Sequence, residues 1–123
     1  MAKILLIEDI PDNVELVNRA LSQTGYEVAY ASDAETGLAT ALKLIPDLIL
    51  LDLGLPDYDG QTLAGWLRQE ESLNKTKIVA LTAWPEETAR KMVESYQCDG
   101  YISKPIMKIS DFISQVNSYL INK

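Results

Sequence analysis

Five positions in the chain carry side chains that suit one kind of chemistry. Glu8 and Asp9 follow the run KILLI, Asp52 closes DLILLD, Thr82 closes KIVALT, and Lys104 comes directly after YIS. Each stands where a short apolar run stops, and a charge in that position must be solvated, paired or used for chemistry. Any one of them alone reads as an ordinary strand end, a helix cap or a surface lysine. Together they read differently, because three carboxylates brought close to one another repel until one takes up a proton or a cation neutralises them. The chain has no His and one Cys, so the available ligands are oxygens. Oxygen ligands select a hard cation, and a site of few carboxylates with open positions suits Mg2+ (or Mn2+), which keeps waters and accepts phosphate oxygens. Lys104 adds a compact positive charge and Thr82 a hydroxyl, two groups that hold phosphoryl oxygens a metal does not reach.

These residues converge only if the runs before them are neighbouring parallel strands. KILLI (3–7), EVAYA (27–31), DLILLD (47–52), KIVALT (77–82) and YIS (101–103) alternate with helical patterns, which implies βαβ units. Asp12-Asn13 are expected to cap a first helix that buries Leu16, Val17, Ala20 and Leu21 before Gly25 stops it. Ser32-Asp33 start a second, with Ala34, Leu38, Ala41, Leu42 and Ile45 inward and Pro46 ending it. A third follows Gly60 with Leu63 and Leu67 inward, and Pro85-Glu86-Glu87 open a fourth that buries Ala89, Met92, Val93 and Tyr96. The last carries Ile109, Phe112, Ile113, Val116, Tyr119 and Leu120 at helical spacing. The expected fold is an α/β, flavodoxin-like (βα)5 three-layer sandwich with a five-stranded parallel sheet in the order 2-1-3-4-5. Its ligand crevice lies at the carboxyl ends of the strands, where the order reverses. That places Asp52 centrally, facing Glu8, Asp9, Thr82 and Lys104.

Composition narrows the classes. A chain of 123 residues, 47% hydrophobic and 24% charged, is read as one globular domain over residues 1–123. A formal charge of -7, from 11 basic and 18 acidic residues, argues against nucleic acid as a direct partner. The lone Cys98 forms no internal disulfide, no apolar run approaches the roughly 20 residues of a membrane span, and Met1-Ala2-Lys3 leads straight into a strand. No membrane partner and a cytoplasmic location are therefore expected. With no His to activate it, Cys98 reads as a packing residue.

IEDIPDN, LLDLGLPDYDG, VALTAW and DGYISKPI together resemble the two-component response-regulator receiver domain, in register over the whole chain. The resemblance implies phosphorelay signalling, with Asp52 as phosphoacceptor and Glu8, Asp9, Asp52 and the Gly54 backbone carbonyl holding Mg2+. It implies that Thr82 and Lys104 contact the phosphoryl group and that Thr82 and Tyr101 form the switch. It also implies a cis peptide before Pro105, a reasonable way to aim the lysine because a cis X-Pro bond costs little. The donor it implies is a histidine kinase or a His-containing phosphotransfer protein, since a chain without His cannot relay through one of its own. Ending at the fifth helix, the chain is expected to act through a surface, the face of the fourth helix, fifth strand and fifth helix, on a downstream protein. DGYISKPI is similar to the same segment of single-domain regulators of cell polarity and the cell cycle.

Two departures bear on phosphate lifetime: Gly54 stands two residues after Asp52, and Trp84 two after Thr82. Trp66 on the third helix reads as packing. A haloacid-dehalogenase-like phosphatase needs a second aspartate where Gly54 stands, and a flavodoxin-like cofactor carrier needs a hydroxyl- and glycine-rich loop where this chain has EDIPDN. A receiver fold used as a constitutive docking module is the remaining alternative. The expectation is a phosphoacceptor domain and no enzyme beyond its own Mg-dependent self-phosphorylation and self-dephosphorylation.

Overall fold

The computed structural model describes residues 2–121. Strands β1 (Lys3–Ile7), β2 (Glu27–Ala31), β3 (Leu48–Asp52), β4 (Lys77–Thr82) and β5 (Gly100–Ser103) alternate with helices α1 (Pro11–Leu21), α2 (Ala34–Leu44), α3 (Gly60–Gln69), α4 (Glu86–Ser95) and α5 (Ile109–Ile121). A short 3-10 turn at Glu71–Leu73, unforeseen in the sequence, precedes β4. The strands form one parallel sheet in the order β2-β1-β3-β4-β5, the flavodoxin-like arrangement expected.

Successive strand residues point to opposite faces, and here both faces are covered. Ile4, Leu6, Leu48, Leu50, Val79 and Leu81 pack with α1 and α5. Leu5, Ile7, Ile49, Leu51 and Ile78 pack with α2 and α3, while Ala80 meets Met92 of α4. This two-sided burial explains why the central strands read as unbroken apolar runs. At the carboxyl ends the runs give way to polar residues, and side chains from β1, β3 and the segment after β5 can meet there.

Four local expectations need correction. The residue before α1 is Ile10, with no side-chain cap, and Pro11 occupies the first helical position. Proline's fixed φ and missing N–H favour that position, so Asp12 lies inside the first turn. The helix stops at Leu21 rather than at Gly25, whose φ of 81° belongs to the following turn. Leu42 and Ile45 are exposed, and Ile45 caps α2 in the left-handed region at φ 46°. Pro46 disfavours a right-handed helical residue before it, which swings Ile45 away from the core. Tyr96, expected inward, is 39% exposed just beyond the end of α4.

Gly60 and Gly65 lie on the same helix and make opposite demands. Gly60 donates its N–H to Leu53 O at 3.0 Å, and a Cβ there would come 2.6 Å from Leu53 Cα and 2.7 Å from Asp52 O. Those are backbone atoms of the strand end that carries Asp52, and they cannot yield. A Cβ on Gly65 meets nothing within 4 Å. In urea titrations Gly60→Ala is expected to cost about 1–3 kcal/mol through overpacking, whereas Gly65→Ala should stabilise by roughly 0.5–1 kcal/mol by removing a flexible residue from a helix interior. Equal effects would show that the Gly60 contact does not constrain the strand end.

Candidate functional site

Glu8, Asp9, Asp52 and Lys104 meet in one crevice, and Thr82 ends β4, the strand beside β3. Glu8, at the end of β1, is 1% exposed, and Asp52, at the end of β3, is 6% exposed. One carboxylate oxygen from each of Glu8, Asp9 and Asp52 lies within 4.8 Å of the others. Lys104 reaches in from beyond β5, and its Nζ donates to Asp52 Oδ1 at 2.6 Å and to Glu8 Oε1 at 3.0 Å. Its own backbone N–H donates to Thr82 O at 2.8 Å, tying the lysine to the end of β4. The Lys104–Pro105 peptide is cis.

The charges are not balanced. Burial raises the Glu8 carboxyl above its ordinary value; the Lys104 ammonium opposes this and neighbouring Asp52 adds to it. Burial alone would lower the Lys104 ammonium, yet the Asp52 and Glu8 carboxylates outweigh it and hold that group above its usual range. The two shifts differ in origin: burial leads for Glu8, whereas for Lys104, one cation among three carboxylates, the paired carboxylates together prevail over burial. Asp9 shows where the deficit lies, because its Oδ1 is buried with no hydrogen-bond partner among the described residues. Buried polar atoms are ordinarily paired, and an orphaned carboxylate oxygen beside two other carboxylates is suited to be a metal ligand. Three oxygen donors with one unsatisfied fit a hard divalent cation.

The expected switch residues lie on adjoining strands. Ala80 pairs with Tyr101 and Thr82 with Ser103, so Thr82 and Tyr101 are diagonal neighbours on one face of the sheet. Thr82 is buried, and its Oγ accepts the Trp84 N–H at 3.0 Å. Tyr101 is half-buried beside Leu53, Ala80 and Met92. Gly54 follows the strand end so closely that a Cβ on it would lie 3.8 Å from Asp52 Oδ2, in ordinary contact. Trp84 is partly exposed, and Trp66 packs edge-on against Tyr58 with ring centres 4.8 Å apart.

Two aspartates of the β3–α3 loop have roles that were not assigned from the sequence. Asp59 caps α3 by accepting the Thr62 N–H at 2.8 Å; an aspartate just before a helical run was the available signal. Asp57 instead takes the Ala34 and Glu35 N–H groups of α2 at 2.8 and 3.1 Å. No local pattern signals a contact between a loop residue and the start of a helix 23 residues away.

Comparison with known proteins agrees with this architecture. The response regulator receiver domain family matches residues 4–117. The polar-differentiation response regulator DivK of Brucella ovis is 32% identical over 117 residues, covering 95% of this chain and 94% of that protein. The chemotaxis protein CheY4 of Vibrio cholerae superposes with a TM-score of 0.90 at 26% identity, covering 98% of this chain and 99% of that one. The receiver domain of sensor histidine kinase PA1611 from Pseudomonas aeruginosa, solved with a magnesium ion coordinated in its active-site cleft, gives a TM-score of 0.86 at 28% identity over 97% of both chains. With the family matched from β1 into α5, the chain belongs to the response regulator receiver domains, the signalling modules of two-component phosphorelays.

Proposed function

We propose that Asp52 is the phosphoacceptor and that Glu8, Asp9, Asp52 and the Gly54 carbonyl hold Mg2+ or Mn2+ beside it. The observation that carries this reading is the arrangement around Asp52: a buried carboxylate gripped by Lys104 at 2.6 Å, with the unpartnered oxygen of Asp9 in the same cluster. When bound, the cation offsets the negative charge that would otherwise keep a phosphate dianion away.

The chain's own groups do the rest. An Asp52 oxygen attacks phosphorus in line, the bond from phosphorus to the donor's leaving atom breaks, and the electron pair departs with that atom. An aspartyl phosphate results. Lys104 shifts its grip from the free carboxylate to the phosphoryl oxygens, where a compact ammonium suits a delocalised charge. The Thr82 hydroxyl, now accepting from Trp84, is the nearby group that can turn its proton to the same oxygens. A rotation of the whole Thr82 side chain that carried Oγ toward those oxygens would free the Trp84 N–H and open space for the Tyr101 ring on the same face. Phosphorylation would then bias a pre-existing equilibrium, worth typically about 1–3 kcal/mol of coupling.

The donor in this reading is a histidine kinase or a His-containing phosphotransfer protein. The output is the face of α4, β5 and α5 acting on a downstream protein. No helix of the described residues is long and apolar enough to cross a membrane, and a cytoplasmic setting fits a phosphorelay. Residues 1–123 serve as one receiver unit.

The test is labelling with a small acyl phosphate. The protein is expected to gain one phosphoryl mass with Mg2+ or Mn2+ present and none in excess chelator, because the carboxylate cluster must be neutralised before a dianion approaches. Equal labelling in chelator would overturn the metal's part.

A further inference from the structure

The connection from Leu53 to Asp59 passes beside the Asp52 carboxylate, as the close approach at Gly54 shows. Its base is closed by Gly60 N–H donating to Leu53 O at 3.0 Å. Its outer turn is gripped from a different helix. Asp57 Oδ1 accepts from Ala34 N at 2.8 Å and from Tyr58 N at 3.0 Å, and Oδ2 accepts from Glu35 N at 3.1 Å. Ala34 and Glu35 open α2, where N–H groups have no carbonyl partner in their own helix. Asp33 takes the third, from Thr36 at 2.7 Å. The end of α2 is therefore satisfied by two carboxylates, one local and one delivered by the loop.

The clasp is charged at neutral pH. Desolvation pushes the Asp57 carboxyl up, but the backbone donors of Ala34, Glu35 and Tyr58 outweigh it and hold it below its ordinary value. Either carboxylate would cap the helix, but only Asp57 also fixes the backbone running past Asp52. We propose that Asp57 is a positioning residue for the acidic crevice: by clasping α2 it holds the β3–α3 loop against Asp52, and so sets the affinity of the site for a divalent cation it does not touch. This rests on the reading that Glu8, Asp9 and Asp52 hold such a cation. It goes beyond that reading by making the start of α2 part of the site's support.

Three variants separate positioning from simple capping. Asp57→Ala removes the clasp, Asp57→Asn keeps its shape but replaces one accepting oxygen with an NH2 donor, and Asp33→Ala removes a cap from the same helix end without touching the loop. Amide hydrogen exchange is followed at Gly54, Leu55 and Tyr58 in excess chelator, and Mn2+ binding is followed by electron paramagnetic resonance, well below each melting temperature. Asp57→Ala is expected to speed exchange at those amides and to weaken Mn2+ binding roughly tenfold, the lower range for loss of an outer-shell support. Asp57→Asn should fall between it and the parent. Asp33→Ala should lower the melting temperature comparably while leaving loop exchange and Mn2+ affinity at parental values. Parental Mn2+ affinity in Asp57→Ala, or an equal loss in Asp33→Ala, overturns the proposal. A parent that binds no Mn2+ overturns the metal reading and the positioning role with it, recognisable because faster loop exchange in Asp57→Ala would persist.

Discussion

Asp52→Asn is expected to take up no phosphoryl group under conditions in which the parent takes up one. The substitution is conservative in shape, and the amide oxygen can still accept from Lys104 Nζ, which sits 2.6 Å from Asp52 Oδ1. The change is therefore electronic. An amide oxygen carries no full negative charge to attack phosphorus, and the adduct it would form is not the acyl phosphate that a carboxylate gives. Stability should move in the opposite sense to activity. The crevice holds three carboxylates within 4.8 Å and one lysine, so removing one negative charge relieves repulsion in metal-free protein. Asp52→Asn should thus melt no lower than the parent in excess chelator, which separates lost chemistry from lost fold. Intact-protein mass after incubation with a small acyl phosphate and Mg2+ decides the matter. A variant that gains the same mass as the parent would place the acceptor elsewhere.

The parts of this site that were legible in the sequence are those that follow from strand ends. KILLI-Glu8-Asp9 and DLILLD ending at Asp52 announce their position because an apolar run covered on both faces cannot carry a charge until it leaves the sheet. Thr82 and Lys104 follow from the same rule, and the parallel order brings all of them to one edge. The α2 boundary was harder. The apolar spacing of Leu42 and Ile45 looked inward, but for Ile45 the following Pro46 sets the backbone and outranks the periodicity. Asp57 was illegible for a different reason. Its partners are backbone N–H groups, which every residue supplies, so no side-chain pattern marks them. The pairing of Lys104 with Glu8 was equally hidden, since the sequence brings both to the crevice without saying which carboxylate the lysine holds before phosphorylation.

Lys104→Ala is expected to separate three properties that the parent combines. Lys104 Nζ bridges Glu8 and Asp52, whose side chains are 0% and 8% exposed, and is itself 19% exposed. Without the ammonium, two buried carboxylates face each other unpaired, and breaking a buried pair costs about 3 kcal/mol or more. Protonation limits that cost. Glu8, already raised above 4.5 by burial, takes up a proton more readily once the lysine is gone. A carboxyl raised on folding favours the folded state below its unfolded value and loses that advantage as pH climbs through the raised value. In excess chelator the deficit of Lys104→Ala should accordingly be small near pH 4.5 and grow toward neutrality. Adding Mg2+ should close the gap, because the variant's unpaired carboxylates gain more from a cation than the parent's do. Mn2+ affinity should equal or exceed the parental value, since the competing ammonium has been removed. Phosphorylation should nevertheless slow by about a hundredfold, as when one preorganised donor is removed from a developing charge. Lys104→Arg should restore little of that rate, its fork being longer and planar where a point charge is needed. Weaker Mn2+ binding in Lys104→Ala would mean that the lysine orders the carboxylates rather than competing for them. A parental labelling rate would remove Lys104 from the chemistry and leave it holding Glu8 and Asp52 together only in the metal-free crevice.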